Sequence, residues 1–392
     1  MKILHLSTSS TGGAGRAAFR MSAALRAHNQ DSDLIYLGNP LNHNQVGVHP
    51  ISRGPVRKVI SSTLTYMQSR VVQSGTDPVT PISLNAIKVS EILDLKPDIV
   101  HIHNFYNLMS LPSIISLASR AKVVLTLHDQ RIFTAGCHYS HGCLGYRSTC
   151  VACPQMNSLF QSGASRLFEK NMQDLRFDEN SLTLVSPSEW LLSKARENLA
   201  FAKFSGYVVR NPIPEFKFPP NERGGDKKLR IGFCSDKLNN PLKGLAVLLN
   251  ALAGLDRDYV LRLIGNELGD YKIPKGISFE IISPTSDAHL SSEIADLDVL
   301  VVPSLEDNSP NVIGEALMCG TKVIGSDIGG IGELMRQLQL DLFQTSKPNE
   351  LAELLLGFDI DYPRSGVVDS ARRTFSYEVV APQIMEVYRG LL

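Results

Sequence analysis

Charge of one sign, long apolar runs and repeated segments are all missing from this sequence. Its 392 residues hold 39 Lys plus Arg against 39 Asp plus Glu. Without a net field, nucleic acid is not an expected partner and bulk attraction to anionic lipid is excluded. Apolar runs stay short of the roughly 20 residues that a membrane-spanning helix needs. The opening MKILHLSTSS has too short an apolar core for a secretion signal, so the cytoplasm is the expected compartment. Low-complexity tracts and short internal repeats are also absent, which argues against solenoids and disordered arrays. Segment 53–72 places Arg53, Arg57, Lys58 and Arg70 among apolar residues. It reads either as a solvated helix face or as a peripheral contact at the inner face of a membrane.

What remains is an ordinary globular composition, long enough for two or three domains. Short β-branched runs alternate with helical periods in both halves. Expected strands are Ile3–Leu6, Leu34–Leu37, Asp98–His103, Val123–Leu127, Leu182–Ser186, Leu229–Cys234, Tyr259–Ile264, Ile277–Ile281 and Asp298–Val302. Helices are expected over Ala17–Ala27, Leu111–Ser119, Pro187–Asn198, Gly244–Gly254 and Glu378–Leu392. Such alternation predicts α/β structure with doubly wound parallel sheets. Residues 210–226, RNPIPEFKFPPNERGGD, carry the Pro and Gly of a linker. The predicted division is 1–209, a linker over 210–226, 227–377, and a C-terminal helix over 378–392.

The densest signal is VVPSLEDNSPNVIGEALMCGTKVIGS, residues 301–326. A buried strand ends at Pro303, a helix starts near Asn311 after Pro310, and Cys319 and Gly320 close it before the next strand. Asp307 and Glu315, separated by seven residues, then sit at the carboxyl end of a strand, where open α/β sheets bind ligands. Read without further context, they are a loop acid and a surface helix acid.

Three further segments carry chemistry. Gly12, Gly13 and Gly15 followed by Arg16 stand before an amphipathic helix, where backbone can approach an anion closely. The stretch from Gly13 matches G-x-G-x-x-A, but the acid expected after the second strand of a dinucleotide fold is replaced by Gly38, Asn39 and Pro40. His128 and Asp129 follow the run VVLTL, and His101, His103 and Asn104 end another strand; His103 and Asn104 are the terminal ones. After LRIGFC, Lys237 and Lys243 precede a helix near Gly244, cations suited to a departing phosphate.

In this order the segments resemble glycosyltransferase family 4, whose donor site carries two acids separated by seven residues, and with the cysteine-bearing loop that follows His128 and Asp129 they resemble its bacterial exopolysaccharide and colanic acid types. The resemblance implies a GT-B architecture, two doubly wound Rossmann-like domains facing each other across a cleft, with the last helix crossing back to the first domain. It implies that Glu315 accepts from the nucleotide ribose and that Asp307 lies near the sugar hydroxyls, with Glu306 as the rival for that acidic role. Backbone amides of Asn308, Ser309 and Asn311 would hold sugar or phosphate oxygens. His128 would contact the transferred sugar, Asp129 would orient it or the acceptor, and the Gly12–Gly15 loop would lie beside the diphosphate. Lys243 and Lys237 would stabilise the leaving phosphate, and the step would need no divalent metal.

Cys137, Cys143, Cys150 and Cys153 follow within GCHYSHGCLGYRSTCVACPQ, spaced C-x5-C-x6-C-x2-C inside a loop expected over 136–155. In a cytoplasmic protein they read as a structural tetrahedral zinc site, with His138 and His141 as substitute ligands, or as free thiols or a disulfide pair. Cys234 and Cys319 read as packing residues. The expected activity is a retaining transfer of a hexose from a nucleoside diphosphate sugar to a saccharide or lipid-linked saccharide in cell-surface polysaccharide synthesis. A nucleotide-sugar 2-epimerase and a non-catalytic nucleotide-sugar-binding protein with a zinc interaction loop are the alternatives.

Overall fold

The computed structural model describes residues 1–38, 46–52, 54–71, 79–176, 182–216, 228–269 and 271–392. Arg53 and residues 217–226 of the expected linker lie outside the described residues. The chain divides into two units, Met1–Pro212 with Val380–Leu392, and Ile213–Val379.

In the first unit, strands β1 (Lys2–Ser7), β2 (Asp31–Leu37), β3 (Val48–Ile51), β4 (Ile99–Ile102), β5 (Val123–Thr126), β6 (Leu182–Ser186) and β7 (Gly206–Val208) form one sheet ordered β3-β2-β1-β4-β5-β6-β7. Every pairing in it is parallel. Helices α1 (Gly12–Ala27), α2 (Pro55–Val71), α3 (Val89–Asp94), α4 (Leu111–Ala118), α5 (Ser158–Arg176) and α6 (Glu189–Arg196) belong to this unit.

The second unit repeats the plan. Strands β8 (Leu229–Lys237), β9 (Tyr259–Asn266), β10 (Phe279–Ile282), β11 (Val299–Val302), β12 (Lys322–Ser326) and β13 (Leu342–Phe343) run β10-β9-β8-β11-β12-β13, again all parallel. Its helices are α7 (Leu245–Leu252), α8 (Asp287–Ala295), α9 (Asn311–Met318), α10 (Gly329–Gln337), α11 (Pro348–Leu356) and α12 (Arg364–Phe375). The last helix, α13 (Tyr377–Arg389), enters the first unit at Val380. There Val380, Ile384, Val387 and Tyr388 share a core with Ile3, Ile99 and Val124 on one face of the first sheet, while Leu4, Leu6, Val100, Ile102 and Leu125 build the core on the other.

Parallel strands with helices on both faces must be apolar on both sides, and β1, β4, β5, β6 and β11 are buried along nearly their whole length. Each buried Leu, Ile or Val side chain contributes about 1.5–3 kcal/mol relative to exposure. The order of each sheet reverses once, between β1 and β4 and between β8 and β11, and the connections diverge there to leave a crevice outside the carboxyl ends.

Several expected boundaries move, three of them at candidate site residues. Helix α1 starts at Gly12, not Ala17, so Gly12, Gly13, Gly15 and Arg16 form its first turns and not a preceding loop. Strand β8 continues past Cys234 to Lys237, because Ser235 and Lys237 keep pairing with Gly265 and Asn266 of β9 across a bulge. The helix expected from Gly244 instead runs Leu245–Leu252, preceded by a 3-10 turn over Pro241–Lys243.

Candidate functional site

Each unit carries its polar residues at its own switch point. In the second unit, Leu305 N donates to Leu242 O at 2.7 Å, which holds the loop after β11 against the turn before α7. Gly244, at φ +76°, lies so close to Pro303 that an added Cβ would stand 1.9 Å from the Pro303 carbonyl oxygen. Only glycine fits there, and its presence presses Lys243 against the end of β11. Lys243 Nζ meets Asp307 Oδ2 at 2.6 Å, and Asp307 is 5% exposed. A cation and a carboxylate are thus paired at a strand end in one charge-assisted contact.

Glu315 is the fifth residue of α9 and 3% exposed, so its reading as a surface acid is wrong. Glu306 and Asn308, which flank Asp307 in the sequence, are also buried, whereas Ser309 and Asn311 are half-buried. Helix α9 begins at Asn311 as expected, with Pro310 at the N-cap position, where it offers no side-chain acceptor to the first amides. Lys237 stands apart from this group. It is 58% exposed at the end of β8, its Nζ 2.8 Å from Glu267 Oε2.

In the first unit, alternation along three strands puts His5, His101, Thr126 and Val124 on one sheet face, with His5 directly opposite His101 in register. His103 and His128 continue the pattern beyond the strand ends. His5 Nδ1 lies 2.9 Å from His103 Nε2, and His103 Nδ1 lies 3.2 Å from His128 Nε2. His101 is tied separately to Tyr388 and Thr126. Burial drives all four imidazoles toward the neutral form: His5 falls from 6.5 to about 3, His128 to about 4, and His101 and His103 well below 6.5. His5 Nε2 is buried with no hydrogen-bond partner. An orphaned lone pair is the smaller penalty than an orphaned N–H, so the favoured tautomers run His5 Nδ1–H to His103 and His103 Nδ1–H to His128. His128 then carries its proton on Nδ1.

Beside it, Arg131 clamps Asp129 and Asn104 together. Its backbone N and Nε donate to the Asp129 carboxylate at 2.9 and 2.8 Å, and Nη2 donates to Asn104 Oδ1 at 3.0 Å. Burial acts to raise the Asp129 pKa, but the charges of Arg131 and His138 outweigh it and leave it below 3.8. His103, Asn104, His128, Asp129 and Arg131 line one small pocket. A larger cavity of about 200 Å³ shares Phe105, Arg131 and Ile132 with it and extends to Ser83, Ala135 and Phe168. At the start of α1, Gly15 would place a Cβ 2.6 Å from Ser9 O, while Gly12 and Gly13 are exposed and have no atom within 4 Å of such a Cβ. Thr11, the N-cap, makes no side-chain capping bond, and Arg16 is half-buried.

Two residues of this constellation, His5 and Arg131, were not anticipated. His5 was legible in the alternation of HLS, HIH and TLH, three strand ends that repeat one face. Arg131 had no signal, since only the turn over Arg131–Phe133 folds it back on Asp129.

Asp-x-Asp triplets at Asp31–Asp33, Asp256–Asp258, Asp296–Asp298 and Asp359–Asp361 are also present. They open or precede strands, or precede α12, and none follows a strand's carboxyl end. Asp296 is held by Arg230 at 2.7 Å.

The cysteine loop packs in the first unit. Cys137, Cys143, Cys150 and Cys153 line one cavity of about 20 Å³ with Tyr146 and Gln155. Cys137 donates to Cys153, and with the amides of Gln155 and Met156 this lowers Cys153 to about 6, whereas burial pushes Cys150 up to about 12. His138 lies by Asp129 and Arg131, whose opposed charges act on it, and burial takes it to about 4. Among the described residues no helix is long and apolar enough to cross a membrane.

Comparison with known proteins places these sites in context. Residues 228–358 match the family model described as Glycosyl transferases group 1. The chain is 23% identical over 325 residues to WcaC of Escherichia coli K12, named as a colanic acid biosynthesis glycosyl transferase, covering 75% of this chain and 77% of that one. It is 25% identical over 312 residues to the uncharacterized glycosyltransferase MJ1178 of Methanocaldococcus jannaschii, covering 74% and 85%. Among solved structures, Anabaena HepE in complex with UDP superposes with a TM-score of 0.64 at 17% identity over 100% of both chains. A second HepE structure, with UDP-glucose, gives 0.62 at 16%, again over 100% of both chains. The two parallel sheets have the GT-B fold of these glycosyltransferases.

Proposed function

We propose that this chain, a glycosyltransferase by its group 1 domain, transfers a hexose from a nucleoside diphosphate sugar to a saccharide with retention of anomeric configuration. The observation that carries the reading is the Lys243–Asp307 pair at the β8/β11 switch point with Glu315 buried on α9. A diphosphate arriving there draws Lys243 from Asp307, which frees the carboxylate to accept from sugar hydroxyls. Glu315 binds the ribose, and the amides of Asn308, Ser309 and Asn311 hold sugar or phosphate oxygens. Lys237 reaches the phosphate only by leaving Glu267, so Lys243 is the principal cation. As the anomeric C–O bond to the β-phosphate breaks, charge grows on the phosphate oxygen, and Lys243 stabilises it. The acceptor oxygen bonds to the anomeric carbon from the same face, and its proton passes to the departing phosphate oxygen. No divalent metal is required for these steps. His128 donates through Nδ1–H to the sugar, Asp129 orients it, and the start of α1 with Gly12, Gly13, Gly15 and Arg16 supplies an anion site.

UDP and UDP-glucose bound to HepE make uridine the first nucleotide to test, and the name of WcaC supports a place in cell-surface polysaccharide synthesis. The 200 Å³ cavity beside Arg131 is the acceptor pocket in this reading. Helix α2 exposes Val59, Ile60, Tyr66 and Met67 near Arg57 and Lys58, which supports peripheral contact of a cytoplasmic enzyme with a membrane holding a lipid-linked acceptor.

The test is a melting-temperature panel of nucleoside diphosphates and their sugars, followed by NMR of the product. One nucleotide class should raise the melting temperature, and the product should keep the donor's anomeric configuration. An inverted product removes the retaining course. An epimerised donor in the absence of any acceptor replaces transfer with epimerisation.

A further inference from the structure

We propose that Cys137, Cys143, Cys150 and Cys153 bind one zinc ion in a closed, four-sulfur structural site. All four line a single cavity, one roomy enough for a single ion, although they come from three separate stretches of the loop. Backbone amides are aimed at three of the sulfurs: Gly145 N donates to Cys143 Sγ at 3.4 Å, Ala135 to Cys150, and Gln155 and Met156 to Cys153. Thiols gain little from such donors, whereas thiolates on a metal need them to spread the negative charge left over after a divalent cation is neutralised. The backbone is also held in the left-handed region at His141, Cys150 and Ala152, three non-glycine residues of one short loop. Such conformations persist where surrounding bonds over-determine them, and metal–sulfur bonds at Cys150 and Cys153, flanking Ala152, do that.

His138 is engaged with Asp129 and Arg131, and neither His138 nor His141 lines the cavity, which leaves the sulfurs as the ligand set. Four sulfurs in tetrahedral array select zinc over harder cations and leave no open position for chemistry. No three of the four sulfurs lie within 4.8 Å of one another, so ion binding has to draw them inward, with each thiol proton lost to solvent. Thr134 and Ala135 line both this cavity and the 200 Å³ cavity, so the ion stiffens a wall of the latter.

Metal analysis of the full-length protein, purified with reductant and without chelator, tests this without any variant. About one zinc per chain is expected. Exchange for cobalt should give thiolate-to-cobalt charge-transfer absorption with tetrahedral d–d bands. In Cys143→Ser, Cys150→Ser and Cys153→Ser, bound zinc should fall at least about tenfold. Protein that holds no zinc and develops no cobalt bands after reconstitution overturns the site. So does iron in place of zinc, or a thiol titration two short of six in the unfolded, unreduced chain, which marks a disulfide.

Discussion

The two units share a sheet order, yet their switch points hold opposite chemistry. Beside β8 and β11 the second unit carries formal charge, with Lys243 on Asp307 and Glu315 buried on α9. Between β1 and β4 the first unit gathers imidazoles that burial keeps neutral, and a largely buried charge pair, Arg131 with Asp129, stands at the end of β5. A common topology therefore fixes where ligands bind, and the residues carried there fix what can be done to them. Charge at the second unit suits a diphosphate. Neutral donors at the first suit a sugar's hydroxyls, which a permanent charge would recognise less selectively.

The sharpest way to break this contrast is Lys243→Ala. Turnover should fall by about 10²–10³ with a smaller change in KM, as for loss of a donor to a developing oxyanion. Steady-state kinetics with unchanged turnover would remove Lys243 from the reaction. Acid separates the units next. The unfolded chain binds protons near pH 6.5 that His5 and His128 refuse until about 3 and 4. The histidine contribution to the stability of the first unit should be flat above about pH 6.5 and be lost below it, by up to about 1.4 kcal/mol per pH unit for each neutral imidazole. Trp190, the only tryptophan, lies in the first unit and reports its unfolding by fluorescence. A pH-independent Trp190 transition between pH 7 and 4.5 would contradict buried neutral histidines.

Two glycines refine the comparison. Gly244→Ala forces a Cβ onto Pro303 at positive φ and should cost well over about 1 kcal/mol, seen as a lower melting temperature. Gly13→Ala meets nothing within 4 Å and should stabilise α1 by about 0.4–1 kcal/mol. A loss of turnover in that more stable variant marks Gly13 as a position where a ligand approaches. Equal turnover assigns it no such role. The smallest effect is expected for His5→Phe, which frees His103 Nε2 and loosens the tautomer of His128. Turnover should drop about fivefold, near 1 kcal/mol, with donor affinity retained. A drop in affinity alone would place His5 outside the relay.

Much of this was readable from residue order. The start of α9 at Asn311 was fixed by Pro310 and by the helical period of Val312, Ile313, Ala316 and Leu317, and β6 matches its expected range Leu182–Ser186. Lys237 was misplaced because Ser235, Asp236 and Lys237 show no apolar alternation; pairing with β9 alone extends that strand. The glycines of α1 were read as a loop because glycine disfavours helix. Close packing of Gly15 on Ser9, which no larger residue permits, offsets that preference. Helix α5 was missed altogether, and Arg131 could not be seen until a turn brought it to Asp129.

The sequence by itself determined the alternating α/β plan, the carboxyl-end loops that bear Lys243, Asp307, His128 and the cysteines, and the ligand chemistry those residue types permit. These are local properties, set by period, turn residues and side-chain identity. Tertiary structure decided which of them meet: Lys243 with Asp307 across 64 positions, His5 with His103 across 98, and four sulfurs about one cavity. It also decided which are buried, and hence which imidazoles stay neutral, because desolvation is the work of neighbours distant in the chain.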